Sequence, residues 1–198
     1  DKGIMYLSKF SNHDAYEGDG TLINIFKFRE TLGGYAVVWA SSLGSLDQNS
    51  SVEITRANAG NLKVLMQLPD MIKSLKIFGV PYEDMSKIPM FISEDFIMSG
   101  PRIKDLKFRL TSIGGNFTIG GCMQLASLEG FPDVYKNIMI YDCPLKDLYG
   151  MKMTTRGDLK LDSLMLKNLE GCPQKINGNF VIGQMDSTME NLFGGPRE

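Results

Sequence analysis

One spacing dominates this sequence: short segments with the pattern apolar–any–apolar recur every 21 residues. The first apolar residue of the segment occupies the same place in six consecutive units: Leu75, Phe96, Phe117, Ile138, Leu159 and Phe180. The residue two places later is also apolar in every unit: Ile77, Met98, Ile119, Ile140, Leu161 and Ile182. A unit this short cannot bury its apolar side by itself, so successive units must stack on one another. The period therefore predicts a solenoid.

Each unit divides into a short strand and a turn. Alternation along the strand directs Leu75 and Ile77 inward and the residue between them outward. A repeated seven-residue sequence marks the turn: "SLEGFPD" at Ser127–Asp133 recurs in similar form as "NLEGCPQ" at Asn168–Gln174. A column of small polar residues directly before the strand, such as Asp95, is predicted to bond backbone groups at the strand ends.

The segment before the repeats reads as a β-hairpin. Thr21–Arg29 alternates as a strand, a glycine-containing turn follows, and Tyr35–Ser41 returns as a second strand. We expect this hairpin to cap the open end of the solenoid, with Trp39 in its core. A weaker first unit is predicted at Ile54, 21 residues before Leu75. The predicted organisation is an N-terminal β cap over residues 1–50 and a repeat array of about seven strands over 51–198.

The repeat columns resemble the leucine-rich repeat, whose strand is written L-x-L-x-x-N/C-x-L. Residues Phe117–Cys122 and Ile138–Leu145 match that pattern. More narrowly, L-x-x-L-E-G-x-P followed by I-N-G-N-F, at Leu166–Phe180, is similar to repeats of uncharacterised bacteriophage and bacterial proteins. The resemblance covers residues 54–198 and implies an α/β-type solenoid, mostly β and irregular, with a parallel sheet on its concave face. The consensus Asn is absent, and four units replace the N/C position by another residue: Val80, Pro101, Leu164 and Met185.

Charge and hydropathy narrow the class of partner. The chain has 21 Lys and Arg against 23 Asp and Glu, a net charge of −2, without the basic excess that nucleic-acid binding needs. Its longest apolar runs, such as Tyr35–Ala40, are far shorter than the roughly 20 residues that span a bilayer. We expect neither nucleic acid nor membrane as a partner.

Catalytic and metal-binding patterns are weak. The single histidine, His13, has no Ser or Cys partner in a recognisable motif, and Glu17–Thr21 lacks the ligand spacing of a calcium loop. Cys122 and Cys143 share one repeat column, so they are either a metal or redox pair or two buried column thiols; the column favours the second. Cys172 stands where the sister phrase has phenylalanine and is predicted to be apolar. We expect no enzymatic activity, cofactor or metal.

The outward side of the strands carries the candidate binding site. Its predicted contacts comprise five large apolar side chains and a polar rim. The apolar residues are Phe78, Ile97, Met139, Tyr141 and Val181, and the rim residues are Lys76, Lys160 and Asp162.

These features favour a non-enzymatic protein-binding module that displays a concave solenoid face. The narrow resemblance implies a bacteriophage setting: an accessory or structural component of the virion, or a binder of a host factor in the bacterial cytoplasm. The alternative is the substrate-recruiting repeat domain of a larger enzyme whose catalytic part precedes Asp1. The open C-terminal end of the solenoid is a second predicted contact, for assembly, near Met189 and Phe193.

Overall fold

The computed structural model describes residues 22–27, 35–39, 48–49, 51–55, 68–79, 83, 85–184 and 189–197. The predictions for His13 and for Glu17–Thr21, and the predicted burial of the Trp39 side chain, lie outside these described residues.

Fifteen strands form in the described residues, and they belong to one long sheet and two short ones. The nine strands of the long sheet are β1 (Leu22–Lys27), β2 (Tyr35–Trp39), β3 (Ser51–Thr55), β5 (Ser74–Phe78), β7 (Phe96–Ser99), β9 (Phe117–Gly120), β11 (Ile138–Cys143), β13 (Leu159–Leu164) and β15 (Phe180–Ile182). The six two-residue strands are β4 (Met71–Ile72), β6 (Phe91–Ile92), β8 (Ser112–Ile113), β10 (Asp133–Val134), β12 (Thr154–Thr155) and β14 (Lys175–Ile176).

Strand pairing in the long sheet follows the 21-residue period. From β5 to β15 each strand pairs in parallel with the next, and Leu75 lies beside Phe96 as Ile138 lies beside Leu159. The predicted register is confirmed across these six strands. The chain therefore advances by one strand for each turn of the solenoid.

The N-terminal strands depart from the period. β2 is antiparallel to both β1 and β3, so the predicted hairpin is present as a strand pair. β3 then pairs in parallel with β5, but Val52 lies beside Leu75 and Ile54 beside Ile77. The prediction that Ile54 opens the first unit is wrong by two positions, because this interval spans 23 residues. A capping role for the hairpin and a domain boundary at residue 50 stay predictions.

A second layer of short strands closes the other side of each turn. The inward residue of each of these strands is buried, including Ile92, Val134 and the polar Thr155. In the first turn the inward residue is Ile72, whereas Met71, four places before Leu75, is 42% exposed. The inward residue of the short strand lies three positions before Leu75 in this turn, whereas Ile92 lies four positions before Phe96 in the next, so the spacing within the repeat is not constant here.

One continuous apolar core fills the space between the two layers. The aromatic rings of Phe96 and Phe117 stack with centroids 5.7 Å apart, and Phe131 from a turn meets Phe117 edge-on at 5.0 Å. Burying each such side chain contributes about 1.5–3 kcal/mol. Because these contacts join consecutive turns, each turn is stabilised by its neighbours.

The repeated phrase L-E-G marks a tight turn that packs directly on the preceding turn of the chain. Leu128 and Leu169 are buried, and the carbonyl of Glu129 accepts the Leu106 N–H at 3.0 Å. Gly130 and Gly171 follow with φ of +91° and +81°, in positions where a Cβ would overlap the backbone of the neighbouring turn. The phrase recurs because only glycine allows this close approach in that conformation.

The described residues form a parallel β-solenoid of about five turns. They contain no helix, so the α component of the expected class is missing from this part of the chain. Likewise, none of the residues that the structure describes forms a helix able to cross a membrane.

Candidate functional site

The outward side of the long sheet holds all eight predicted contact residues. Two rows of side chains run across the strands on this side, and we call them together the outward face. The first row consists of Lys76, Ile97, Thr118, Met139, Lys160 and Val181, and the second of Phe78, Ser99, Gly120, Tyr141, Asp162 and Gly183.

Burial alternates along the strands as the sequence predicts. From β5 to β13 the two inward residues that open each strand are at most 3% exposed. Seven of the eight predicted contact residues are half-buried, and Val181 in the last strand is 43% exposed. The outward residues are therefore partly open to contact, while their neighbours along each strand build the core.

Four of the five large apolar side chains of the outward face form two groups, and Val181 lies apart from them on β15. Phe78 and Ile97 come from adjacent strands β5 and β7, and Met139 and Tyr141 share β11. Strand β9 separates the groups, since it contributes only Thr118 and a glycine to this face. At about 4.8 Å per strand, Ile97 and Met139 are two strands, or roughly 10 Å, apart. A partner would therefore meet two apolar anchors with a shallow gap between them.

Tyr141 is held in place by the glycine beside it. Gly120 is the residue opposite Tyr141 on β9, and a Cβ there would overlap the tyrosine ring. The ring therefore lies across the bare backbone of Gly120, in the way that an aromatic residue covers a strand glycine. Asp162, on the other side of Tyr141, extends instead toward Gly183, the residue directly after β15.

A ladder of polar side chains fixes the starts of the strands. The Oδ1 atom of Asp95 accepts the Asn116 N–H at 2.8 Å, and that of Asn137 accepts the Asp158 N–H at 2.9 Å. In the same way, the Oδ1 atom of Asp158 accepts the Asn179 N–H at 2.7 Å. The structural role predicted for this small polar column is confirmed. It sets the spacing of the strands that carry the outward face.

The cysteines lie in the core rather than at a reactive surface. Cys122 and Cys143 are buried, and their Sγ atoms donate to the carbonyls of Gly120 and Tyr141 at 3.4 and 3.2 Å. The side-chain hydrogen bond with Cys143, together with burial, raises the pKa of the Cys122 thiol. Burial raises the pKa of Cys172 to about 11. The hydrogen bond with Cys122 lowers the pKa of the Cys143 thiol. All three thiols are nevertheless buried in the core, which agrees with buried column thiols.

A pocket elsewhere on the described surface offers little selective chemistry. A surface pocket of about 510 Å³ has a floor that includes Met85 and Ile103, but its walls mix acidic and basic groups. Among these, Lys107 is already paired with Glu129 at 2.8 Å. Within the described ranges, no three His, Cys, Asp or Glu side chains are grouped so that they could hold a metal ion.

Sequence reasoning missed two further full copies of the turn phrase, at Asp147 and Asn191, and one copy at Asp105 that has Phe108 in place of the glycine. In each of the five turns a Ser, Asp or Asn accepts the backbone N–H two residues later, which closes the turn. These residues are Asp105, Ser127, Asp147, Asn168 and Asn191. The general pattern [S/D/N]-L-x-G was visible in "DLYG" and "NLFG" as well as in the two L-E-G copies. This pattern places a complete copy of the tight turn, at Asn191, in the last described coil of the solenoid.

Comparisons with protein-family models, with curated proteins and with solved structures gave no match to this chain. Support for a function therefore comes from the geometry described above and from the resemblance of the repeats.

Proposed function

We propose that this protein is a non-enzymatic protein-binding module whose recognition surface is the outward face. The observation that carries the proposal is the set of large apolar side chains, among them Ile97, Met139 and Tyr141, at partly exposed positions of a regular sheet. Polar residues suffice at such positions in a sheet that faces only water. Aromatic residues and Met are enriched at the centres of protein interfaces, which favours a protein as the partner.

The construction of the face suits binding with little reorganisation. The ladder of polar side chains and the parallel pairing hold the strands, and the Tyr141 ring lies against the bare backbone of Gly120. A surface that is already ordered loses little side-chain and backbone entropy when a partner binds. Lys76, Lys160 and Asp162 surround the apolar groups and would steer the partner's orientation.

The proposed partner carries two apolar anchors, one for each apolar group of the face. The repeat resemblance supports a leucine-rich-repeat relationship and a bacteriophage setting, in which the partner is a virion protein or a host factor. These two roles predict different sources for the captured protein, so one experiment separates them.

The test is a pull-down with tagged protein from host-cell lysate and, separately, from disrupted virions. Wild type is compared with the double variant Met139→Asp, Tyr141→Asp. The matched control is Met123→Asp, Tyr149→Asp, which makes the same changes at residues that are 74% and 58% exposed in turns away from the face. Thermal melting of each variant is measured first, because only folded variants report on binding.

We expect wild type and the control to capture the same partner and the face variant to lose it. Placing a carboxylate in a desolvated contact costs several kcal/mol, enough to reduce the affinity by more than about a hundredfold. If a folded face variant captures the partner as well as wild type does, the outward face is not the binding surface.

A further inference from the structure

The corner that follows each long strand places Cys122 and Cys143 beside each other on consecutive turns. The two cysteines share one repeat column, 21 residues apart. The residue before each has a left-handed backbone, with φ of +59° at Gly121 and +50° at Asp142, so the two corners have the same conformation. Gly121 also donates its N–H to the Tyr141 carbonyl at 3.2 Å, which keeps the two turns in step up to the cysteines. A spacing of about 4.8 Å per strand brings their Cα atoms within the range of about 4.4–6.8 Å that a disulfide spans.

The side chains of the two cysteines are also in contact. Each Sγ atom donates to the carbonyl two residues earlier on its own turn, at Gly120 and at Tyr141, so both side chains leave the backbone in the same way. A hydrogen bond joins the two thiols, and the Cys143 sulfur has a further hydrogen bond to the backbone of Cys122. The two sulfur atoms are therefore neighbours in the folded chain, and a bond between them does not require the turns to separate.

The third cysteine of the chain is separated from this pair. Cys172 belongs to the turn phrase, in a different repeat column, where it is buried. In the column of the pair, the turns on either side contribute Pro101 and Leu164, which are also buried. Each thiol of the pair therefore has the other as its neighbouring sulfur, and oxidation of the folded protein should join these two and leave Cys172 free.

We propose that Cys122 and Cys143 are an oxidation site, at which hydrogen peroxide forms a disulfide between consecutive turns of the solenoid. Cys143 reacts first, because it follows the exposed Asp142 and because the hydrogen bond with Cys122 lowers its pKa, which favours the reactive thiolate. Its sulfur takes one oxygen of the peroxide and becomes a sulfenic acid, while the other oxygen leaves as water with the thiol proton.

The second step closes the disulfide. The Cys122 sulfur attacks the Cys143 sulfur, so that the S–S bond forms, the S–O bond breaks and a second water leaves with the Cys122 proton. The two thiols together supply two electrons, which reduce one peroxide to two waters. Peroxide is little larger than water and needs a far smaller opening than an alkylating reagent, so burial of the pair does not prevent the reaction. The disulfide would lie behind the outward face, and its formation does not depend on the proposed binding function.

The first test is oxidation of the folded, fully reduced protein with hydrogen peroxide, followed by unfolding, alkylation of the remaining thiols and peptide mapping without reduction. We expect the intact protein to lose two hydrogen atoms, Cys172 alone to be alkylated, and one linked peptide pair to contain Cys122 and Cys143. The control is the same oxidation in urea, where the unfolded chain should form all three possible pairs of its cysteines. Folded protein that keeps three free thiols, at a peroxide concentration that links the unfolded chain, overturns the proposal. A link in the folded protein that involves Cys172 or joins two chains overturns it as well.

The second test assigns the two roles with single variants whose thermal melting shows that they are folded. Cys122→Ala removes the thiol that closes the disulfide, so the peptide that contains Cys143 should gain oxygen. Cys143→Ala removes the thiol that reacts first, so Cys122 should stay reduced at the same peroxide concentration. The matched control Cys172→Ala should form the disulfide as wild type does. Oxygen uptake by Cys122 without uptake by Cys143 would contradict the assigned order, and loss of the disulfide in the control would contradict the pairing.

Discussion

Substitution of Gly171 tests whether the turn phrase requires glycine for lack of space. Gly171 has φ of +81°, and a Cβ there would lie 2.7 Å from the Tyr149 Cα and closer still to the Tyr149 nitrogen. Gly171→Ala therefore combines a left-handed backbone, about 1–2 kcal/mol, with a displaced turn. The displacement disturbs the 2.8 Å bond between Leu148 N and the Glu170 carbonyl, and the packing of Leu169. We expect a total cost of about 3–4 kcal/mol.

Gly79→Ala is the matched control for this prediction. Gly79 also has a left-handed backbone, with φ of +63°, but nothing lies within 4 Å of the position of its Cβ. It should cost only about 1 kcal/mol, since the lower entropy of the unfolded alanine chain offsets part of the strain. Urea unfolding of both variants, analysed for midpoint and slope, gives the two costs. If they agree within about 0.5 kcal/mol, the close approach of consecutive turns does not explain the glycine.

Three other predictions address the ladder and the core. Asp158→Ala removes the oxygen that accepts the Asn179 N–H and should lower the free energy of unfolding, measured in urea, by about 1–2 kcal/mol. Asp158→Asn keeps an acceptor oxygen and should lower it by less than about 0.5 kcal/mol. Equal losses in the two variants would contradict the ladder of polar side chains. Thr155→Val should leave the free energy of unfolding unchanged or raise it by up to about 1 kcal/mol, because Ile or Val is the inward residue of every other short strand. Thr155→Ser should lower the free energy of unfolding, since it removes a buried methyl group. A destabilised Val variant would show that the hydroxyl is needed. The three buried cysteines should react with a thiol reagent only after unfolding, because burial keeps the reagent away from them. At pH 9 the Cys172 thiol should still be largely protonated, since its pKa is raised to about 11; fast native labelling would place a thiol at the surface.

The repeat period predicted most of the fold because it recurs without change. Six units in one register leave a single way to align Leu75 with Phe96 and each later anchor, and the pairing follows that alignment. The alternation of side chains then assigned the outward face without further information. For this reason all eight predicted contact residues lie on one side of the sheet.

The first unit could not be placed from the sequence because its pattern fits two registers. Val52 and Ile54 are both apolar and two residues apart, as are the two inward positions of any strand. The structure selects Val52 as the partner of Leu75. Similarly, Met71 and Ile72 are adjacent apolar residues, and only the shorter connection in that turn decides that Ile72 points inward.

The division of the face and the exposure of Leu192 depend on contacts between turns. A column pattern gives each residue its side but not its neighbours, so the contact of the Tyr141 ring with Gly120 was not predicted. Leu192 illustrates the same limit, since its phrase is identical in kind to buried copies. The exposure of a leucine in this phrase depends on which neighbouring turns pack against it, and a local pattern does not contain that information.

Site-specific photo-cross-linking tests the central claim, recognition of a protein by the outward face, most directly. A photoreactive amino acid is placed at Met139 on the outward face and, as the matched control, at Tyr149 in a turn away from that face. We predict that the captured partner is cross-linked from position 139 and not from position 149. Cross-linking of the partner from position 149 but not from position 139 would contradict the assignment of the binding surface.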